Sequence, residues 1–351
     1  MKKITFLIAS LGGGGAERVT ALLANKFAQK GYDVQLIIFS SMYDEYEIDH
    51  RVKKAFLPTH KNKIKDIVCK IRELKKLLKD FSPEYVVELG FSYRYLFFGN
   101  LLNKYKFILS ERNAPQFHHS NKIEWKMIQY CFNKAYRVVF QTQDAQKSYK
   151  ETIQNISTVI PNPIKDNLPD PFYGDRDNRI VAFSRLNEQK NIPMMLRVFK
   201  QFIANNKDFV LEIYGRGESE QELKQYAIEL GISNQVTFKG FEKDIHNKIK
   251  SAMMFISTSD YEGISNSMLE ALAIGLPCVC TDCPAGGARM AIRSGHNGYL
   301  VPVRDEQSMV ETMNHVVDNQ EEMKLVSKQA TEIKTKLSID EIFSQWEIVM
   351  K

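Results

Sequence analysis

The feature that most constrains this 351-residue chain is a recurring set of short apolar, β-rich runs that lack the polar alternation of a half-exposed strand. The first half carries Ile4 to Ile8, Val34 to Ile38, Tyr85 to Leu89, Phe107 to Leu109 and Val138 to Phe140. The second half carries Ile180 to Phe183, Phe209 to Ile213, Val236 to Phe238, Met253 to Ile256 and Cys278 to Cys280. Strands apolar on both faces must be covered on both sides, and the helical patterns between the runs supply the cover, as in a parallel α/β sheet. Two sheets accommodate this many strands more economically than one. Between them, residues 161 to 179 carry Pro161, Pro163, Pro169 and Pro171, which break helix and strand alike. The expected division is a first domain over 1–165, a hinge over 166–179 and a second domain over 180–337. A terminal helix, 338–351, has Ile339, Ile342, Phe343, Trp346 and Val349 at helical spacing and must dock on another element.

With 44% hydrophobic and 26% charged residues the chain can bury a large core, so disordered and disulfide-scaffold classes are excluded. Five cysteines, an odd number spread thinly, fit a reducing cytosol. The apolar start is followed by Gly12 to Gly15, Glu17 and Arg18, which leave no ordinary signal-cleavage region, and no run approaches the length of a bilayer span. Charge is uneven: residues 1–165 hold 27 Lys and Arg against 15 Asp and Glu, residues 166–351 hold 21 against 27. The basic half is suited to an anionic surface or ligand. Nucleic acid is not the expected partner, because no recognition-helix motif or aromatic single-strand platform accompanies the basic residues.

The first strand runs into Gly12 to Gly15 and then a helix, a place where backbone N–H groups can approach an anion. It is not a dinucleotide fingerprint, since the third glycine position holds Glu17 or Arg18 and the second strand ends Ile38-Phe39-Ser40 without an acid. A denser constellation follows the Met253 to Ile256 run: Glu262, Gly263, Ile264, Ser265, Asn266 and then Glu270, with Gly275 and Pro277 beyond. Loops beyond the strand ends of an open α/β sheet are where ligands bind, and Gly263 to Asn266 can aim N–H groups at a phosphate. Ser267 and Glu270 alone also satisfy the spacing of a capping box. Asp175-Arg176-Asp177 lies in the proline-rich stretch and reads as a surface turn.

Glu262 and Glu270, with Gly263 after the first and Ala271-Leu272-Ala273, Gly275 and Pro277 after the second, resemble the signature of retaining glycosyltransferase family 4. Further matches are Gly12 to Glu17, Ile160 to Pro163, Ser184-Arg185-Leu186 to Lys190-Asn191, Tyr214-Gly215-x-Gly217, Phe238-x-Gly240-Phe241 and Asn297 to Pro302. The segment Asp282 to Arg289 looks like a donor-side loop of bacterial surface-polysaccharide members. The resemblance implies a GT-B fold, two Rossmann-like domains facing across a cleft, with the terminal helix returning to the first. It also implies roles. Arg185 and Lys190 grip the donor diphosphate, Glu270 accepts from ribose hydroxyls, Glu262 and the Gly263 to Asn266 backbone hold the sugar, Gly215 belongs to the donor-binding set, and Gly14 and Gly15 close over the reacting centre. Arg and Lys suit that task because nucleoside diphosphate departure develops negative charge, and one well-placed donor contributes about 3 kcal/mol. No metal or other cofactor is expected.

The family's acceptor-side histidine has no clear counterpart. The stretch reads Ser110-Glu111-Arg112-Asn113, so Glu111 is the candidate to take an acceptor proton or bind a sugar and Arg112 to meet a phosphate, with His118 and His119 as weaker candidates. Cys278, Cys280 and Cys283 read as small buried hydrophobes rather than metal ligands, because no second pair accompanies them. Residues 61 to 80 combine a helical stripe of Ile64, Ile67, Val68, Ile71, Leu74, Leu77 and Leu78, expected to face the first sheet, with eight basic side chains suited to an anionic leaflet. The expected activity is retaining transfer from a UDP-sugar to a polyprenyl-diphosphate-linked glycan in bacterial surface-polysaccharide assembly, by a cytoplasmic, membrane-peripheral enzyme. A UDP-sugar epimerase and a non-catalytic glycan-binding partner are the alternatives.

Overall fold

A computed structural model describes residues 2–12, 14–40, 46–115 and 122–351. His118 and His119 lie outside the described residues. The chain divides into two compact units, Met1–Pro163 with Ile339–Lys351, and Ile164–Ser338.

In the first unit, β1 (Lys3–Ile8), β2 (Asp33–Ile38), β3 (Lys53–Phe56), β4 (Tyr85–Glu88), β5 (Lys106–Glu111), β6 (Arg137–Phe140) and β7 (Ser157–Val159) form a parallel sheet in the order 3-2-1-4-5-6-7. In the second, β8 (Asp177–Phe183), β9 (Val210–Tyr214), β10 (Val236–Gly240), β11 (Ala252–Ser257), β12 (Cys278–Thr281) and β13 (Tyr299–Val301) form a parallel sheet in the order 10-9-8-11-12-13. Both sheets are doubly wound. Strand order reverses between β1 and β4, where Leu7 lies opposite Glu88, and between β8 and β11, where Val181 lies opposite Phe255. At such a switch point the connections leave in opposite directions and open a crevice beyond the carboxyl ends of the strands.

The helices that bear on the site are α1 (Gly15–Gln29), α2 (Lys63–Phe81), α3 (Tyr93–Gly99), α4 (Lys122–Lys134), α5 (Ile192–Phe202), α6 (Ile245–Ile249), α7 (Asn266–Ala273) and α8 (Ile339–Val349). In α1, Val19, Leu23, Ala24 and Phe27 recur at helical spacing and are buried on the sheet. As expected, α8 returns to the first unit. Phe343 packs edge-on against Phe27 with ring centroids 4.7 Å apart, Asp340 pairs with Lys26 at 2.7 Å, and Tyr32 donates to Glu347 at 2.6 Å. Trp346 is fully buried there.

The proline-rich residues 166–179 belong to the second unit. Asp175 is exposed, as a surface turn requires, but Arg176 is a half-buried strut: its guanidinium donates to the carbonyls of Lys250, Ala252 and Gly275 at 3.1, 3.0 and 2.6 Å. Burial lowers its pKa to about 10. It lines a concavity of about 340 Å³, but those carbonyls already engage its guanidinium.

At the carboxyl edge of the second sheet, two loops run main chain against main chain. Ser184 N donates to the Tyr214 carbonyl and Leu186 N to the Arg216 carbonyl, both at 3.0 Å. A Cβ at Gly215 would lie 1.8 Å from the Ser184 carbonyl oxygen, and its φ of +128° is one that L-residues rarely adopt. Gly215→Ala is therefore expected to cost about 3 kcal/mol in urea unfolding. Gly231→Ala, at φ +73° but with nothing within 4 Å of the added carbon, should cost about 1 kcal/mol.

Candidate active site

The loops after β8 and β11, the two strands flanking the second switch point, bring Lys190 and Glu262 together. Lys190 Nζ forms an ion pair with Glu262 Oε1, their side chains 16% and 13% exposed, so the pair is sheltered but reachable. Ser259 Oγ donates to the same carboxylate oxygen at 3.0 Å. Gln189 Nε2 donates to the Tyr261 carbonyl at 2.8 Å, and Thr258 Oγ1 donates to the carbonyls of Lys190 and Asn191 at 3.0 Å each. These bonds stitch the β8 loop to the β11 loop. From the other side, Glu262 N donates to the Pro284 carbonyl and Ala285 N to the Glu262 carbonyl, both at 2.7 Å. Gly287 lets that strand-end loop close in, because a Cβ there would stand 1.7 Å from the Gly263 carbonyl oxygen. A small cavity lined by Ser184, Lys190, Ser257, Ser259, Ser265 and Ser267 lies beside the pair.

Gly263 and Ile264 carry the chain from Glu262 to the N-terminus of α7, where the first N–H groups of a helix lack intrahelical partners. Ser265 is the cap and accepts from Met268 N, and Asn266 is the first helical residue. With the cap at 265, the Ser267 to Glu270 spacing is not a capping box. Glu270 sits deeper, 4% exposed, with its Oε2 2.7 Å from His246 Nε2 on α6. Arg185 is exposed in the loop after β8 and in no ion pair among the described residues. Cys278, Cys280 and Cys283 are buried free thiols, and burial pushes Cys283 up to about 12, which makes it a poor metal ligand or nucleophile. Among the described residues no three His, Cys, Asp or Glu side chains are grouped so as to hold a metal ion.

The first unit has its own polar centre at the ends of β4, β5 and β6. Glu111 is buried. Its Oε1 accepts from Arg112 N at 2.9 Å and Asn113 N at 3.1 Å, and its Oε2 accepts from Tyr149 OH at 3.0 Å. Arg112 Nη1 donates to Asn162 Oδ1 at 3.1 Å, the guanidinium lies over the Trp346 ring, and its buried Nε and Nη2 have no partner among the described residues. Burial lowers the Arg112 pKa to about 10. Glu88, fully buried at the end of β4, accepts from Phe91 N and Ser92 N through Oε1, while Oε2 has no partner among the described residues. Burial raises its pKa above the ordinary 4.5. Gly14 caps α1 and accepts from Tyr46 OH at 3.0 Å through its carbonyl, and Gly15 begins the helix.

Of the sequence candidates, the structure pairs Lys190 with Glu262 directly, strings Gly263, Ile264, Ser265 and Asn266 from that pair into α7, and sets Glu270 against His246. Glu111, Gly14 and Gly15 belong to the first unit. Sequence reasoning missed Glu88, Ser259 and His246. A carboxylate inside the apolar run Tyr85 to Leu89 was a usable signal for Glu88; a histidine on the five-residue α6 offered none.

Two doubly wound parallel-sheet domains, the second with a cation–carboxylate pair and a helix N-terminus at its switch point, define the class as a GT-B glycosyltransferase. The chain belongs to glycosyltransferase family 4: residues 13–168 match the model described as Glycosyltransferase Family 4, and residues 166–333 match Glycosyl transferases group 1. It is 25% identical to an uncharacterized glycosyltransferase of Haemophilus influenzae, over 100% of both chains. It is also 25% identical, over 91% of each chain, to the Campylobacter jejuni N-acetylgalactosamine-N,N'-diacetylbacillosaminyl-diphospho-undecaprenol 4-alpha-N-acetylgalactosaminyltransferase. Among solved structures, Anabaena HepE in complex with UDP and glucose superposes with a TM-score of 0.85 at 17% identity, covering 100% of this chain and 99% of that one.

Two outcomes follow from the buried carboxyls. Glu88 binds its proton more tightly folded than unfolded, so its contribution to stability is full below pH 4.5 and is lost as pH rises through its raised folded value. Glu88→Gln should therefore be more stable than the native protein at pH 7, with the gap closing below pH 4.5 in urea titrations across pH. His246→Leu, which removes a donor from buried Glu270, should cost about 2 kcal/mol. His246→Gln, which can keep an N–H in that place, should recover part of it in the same measurement.

Proposed function

We propose that this glycosyltransferase moves a hexose or N-acetylhexosamine from a UDP-sugar to a hydroxyl of a polyprenyl-diphosphate-linked glycan, with retention of anomeric configuration and without a metal ion. The observation that carries the reading is the Lys190–Glu262 pair beside the N-terminus of α7 at the switch point of the second sheet. The Campylobacter relative, whose name describes an undecaprenol-diphosphate-linked acceptor, supports the acceptor class. HepE, which binds UDP, supports the donor class. The chemistry suits the residues. As the sugar–phosphate bond breaks, the departing diphosphate gathers negative charge, and the Lys190 ammonium, the exposed Arg185 guanidinium and the positive end of the α7 dipole oppose it in place of a metal ion.

In this reading Lys190 has two partners in turn. Without donor it neutralises Glu262; when a diphosphate enters, Nζ turns to the phosphate oxygens and releases the carboxylate to accept from sugar hydroxyls. Glu270, held by His246, accepts from the ribose. Glu111 and Arg112 serve the acceptor, and Gly14 and Gly15 close over the reacting sugar. The acceptor's lipid anchor places the enzyme's work at the inner face of the plasma membrane, in capsule, O-antigen or similar polysaccharide assembly.

The test is Lys190→Ala, checked for an intact fold by circular dichroism, with UDP release followed from a panel of UDP-hexoses and UDP-N-acetylhexosamines and short polyprenyl-diphosphate-linked glycans as acceptors. Turnover should fall about 100-fold or more. UDP in the presence of chelator should raise the melting temperature of the native protein and do so less for the variant. Near-normal turnover of folded Lys190→Ala would remove the leaving-group role, and a native protein stabilised by GDP rather than UDP would change the donor.

A further inference from the structure

The apolar stripe of α2 does not all face the sheet. Leu74, Leu78 and Phe81 are buried, but Ile64 is 76% and Val68 59% exposed, so the first turns of the helix present apolar side chains to solvent. Ile71 continues that edge onto α3, where its Cγ2 stands 3.3 Å from where a Cβ of Gly99 would be. Next to Gly99, Phe98 is 66% exposed; its ring centroid lies 5.3 Å from that of Phe97, which in turn lies 5.2 Å from that of Tyr130 on α4. Ile123, seven residues before Tyr130 and therefore on the same side of α4, is 78% exposed. Three adjoining helices thus show one apolar face made of Ile64, Val68, Phe97, Phe98, Ile123 and Tyr130. Isolated exposed apolar residues are ordinary, but a contiguous set marks an interaction surface.

The charges on this face identify its partner. Arg72 follows Val68 by four residues, Arg94 precedes Phe97 by three and Phe98 by four, and Lys126 lies between Ile123 and Tyr130, so each shares a helix side with the apolar residues. All three are exposed and in no ion pair among the described residues, whereas Asp66 and Glu73 of α2 are matched by Lys70 and Lys76. A second copy is a poor occupant, since a two-fold contact would set these cations against one another. An anionic lipid surface is a good one: aromatic and aliphatic groups enter the headgroup–acyl boundary while long cationic side chains reach the phosphates. Among the described residues no helix is long and apolar enough to cross a membrane.

We propose that the α2–α3–α4 face of the first unit docks on anionic lipid, with Ile64, Val68 and Phe98 inserted at the interface and Arg72, Arg94 and Lys126 on the headgroups. The proposal rests on the lipid-linked acceptor read above and adds the surface that meets the lipid.

The experiment is co-sedimentation of the full chain with vesicles of phosphatidylglycerol and phosphatidylcholine, and of phosphatidylcholine alone, at low and high salt. The native protein should bind the anionic vesicles, with a fraction surviving high salt. Ile64→Ser/Val68→Ser/Phe98→Ser, all at exposed positions, should lower binding about tenfold and lose the salt-resistant fraction. Arg72→Glu/Arg94→Glu/Lys126→Glu should lose the preference for anionic lipid. Vesicle binding unchanged in the serine variant, or absent in the native protein, overturns the proposal, as does a concentration-dependent dimer that the serine variant abolishes. Stabilisation by UDP is read on the same samples. Variants that lose vesicle binding but keep the UDP response leave the transferase reading intact, and a native protein that binds vesicles without responding to UDP counts against that reading alone.

Discussion

A parallel sheet covered on both faces has almost nowhere to put a polar side chain except at its strand ends. Every N–H and C=O along the ladder is used, every connection must cross a face, and the faces are filled by helices. Several buried polar residues of both units follow this rule, whereas Thr5 and Gln35, buried mid-strand, satisfy each other at 3.0 Å. Glu88 and Glu111 stand at the carboxyl ends of β4 and β5, and Thr258 and Ser259 follow β11. The reversal of strand order beside β1 and β8 then decides which of those ends border an open crevice. Chemistry at this edge is a consequence of how the sheets are wound.

The two edges solve the problem of buried charge differently. In the second unit, Lys190 and Glu262 neutralise each other at the rim, where partial exposure keeps the cost of desolvation modest and leaves both able to exchange partners. Serine, threonine and glutamine bonds from Ser259, Thr258 and Gln189 hold the loops that present them. In the first unit the charges are deeper. Burial pushes Glu88 up and Arg112 down, both toward the neutral form, and each keeps buried polar atoms with no partner among the described residues. A stacked Trp346 ring from the terminal helix and the Asn162 amide fix the guanidinium in place. The terminal helix is therefore part of this polar centre as well as of the core.

Close main-chain approach is the other recurring device. Gly215 and Gly287 each stand where any side chain would meet a carbonyl oxygen across a neighbouring loop. Both loops end up packed against segments that carry candidate donor-binding residues, Ser184-Arg185 in one case and Glu262-Gly263 in the other. These glycines are thus spacers that let two loops share one short stretch of backbone.

The apolar runs and their spacing were enough, from the sequence alone, to specify two parallel sheets and a terminal helix that must dock, because burial on both faces and helical periodicity are local patterns; the helix's return to the first unit and the family came from the resemblance carried by the motif around Glu262 and Glu270. What covers what is not local. The Ile64 and Val68 end of an apparently uniform stripe is left exposed, while Leu74, Leu78 and Phe81 are buried. Ser265 rather than Ser267 caps α7, which turns Glu270 from a capping residue into the partner of His246. Lys190 meets Glu262 across 72 residues of chain, and Glu88 loses its water only when β4 is enclosed. The sequence determined which segments must be buried and in what secondary structure; only the tertiary structure decided which polar groups they enclose together, because desolvation and pairing depend on neighbours brought from elsewhere in the chain.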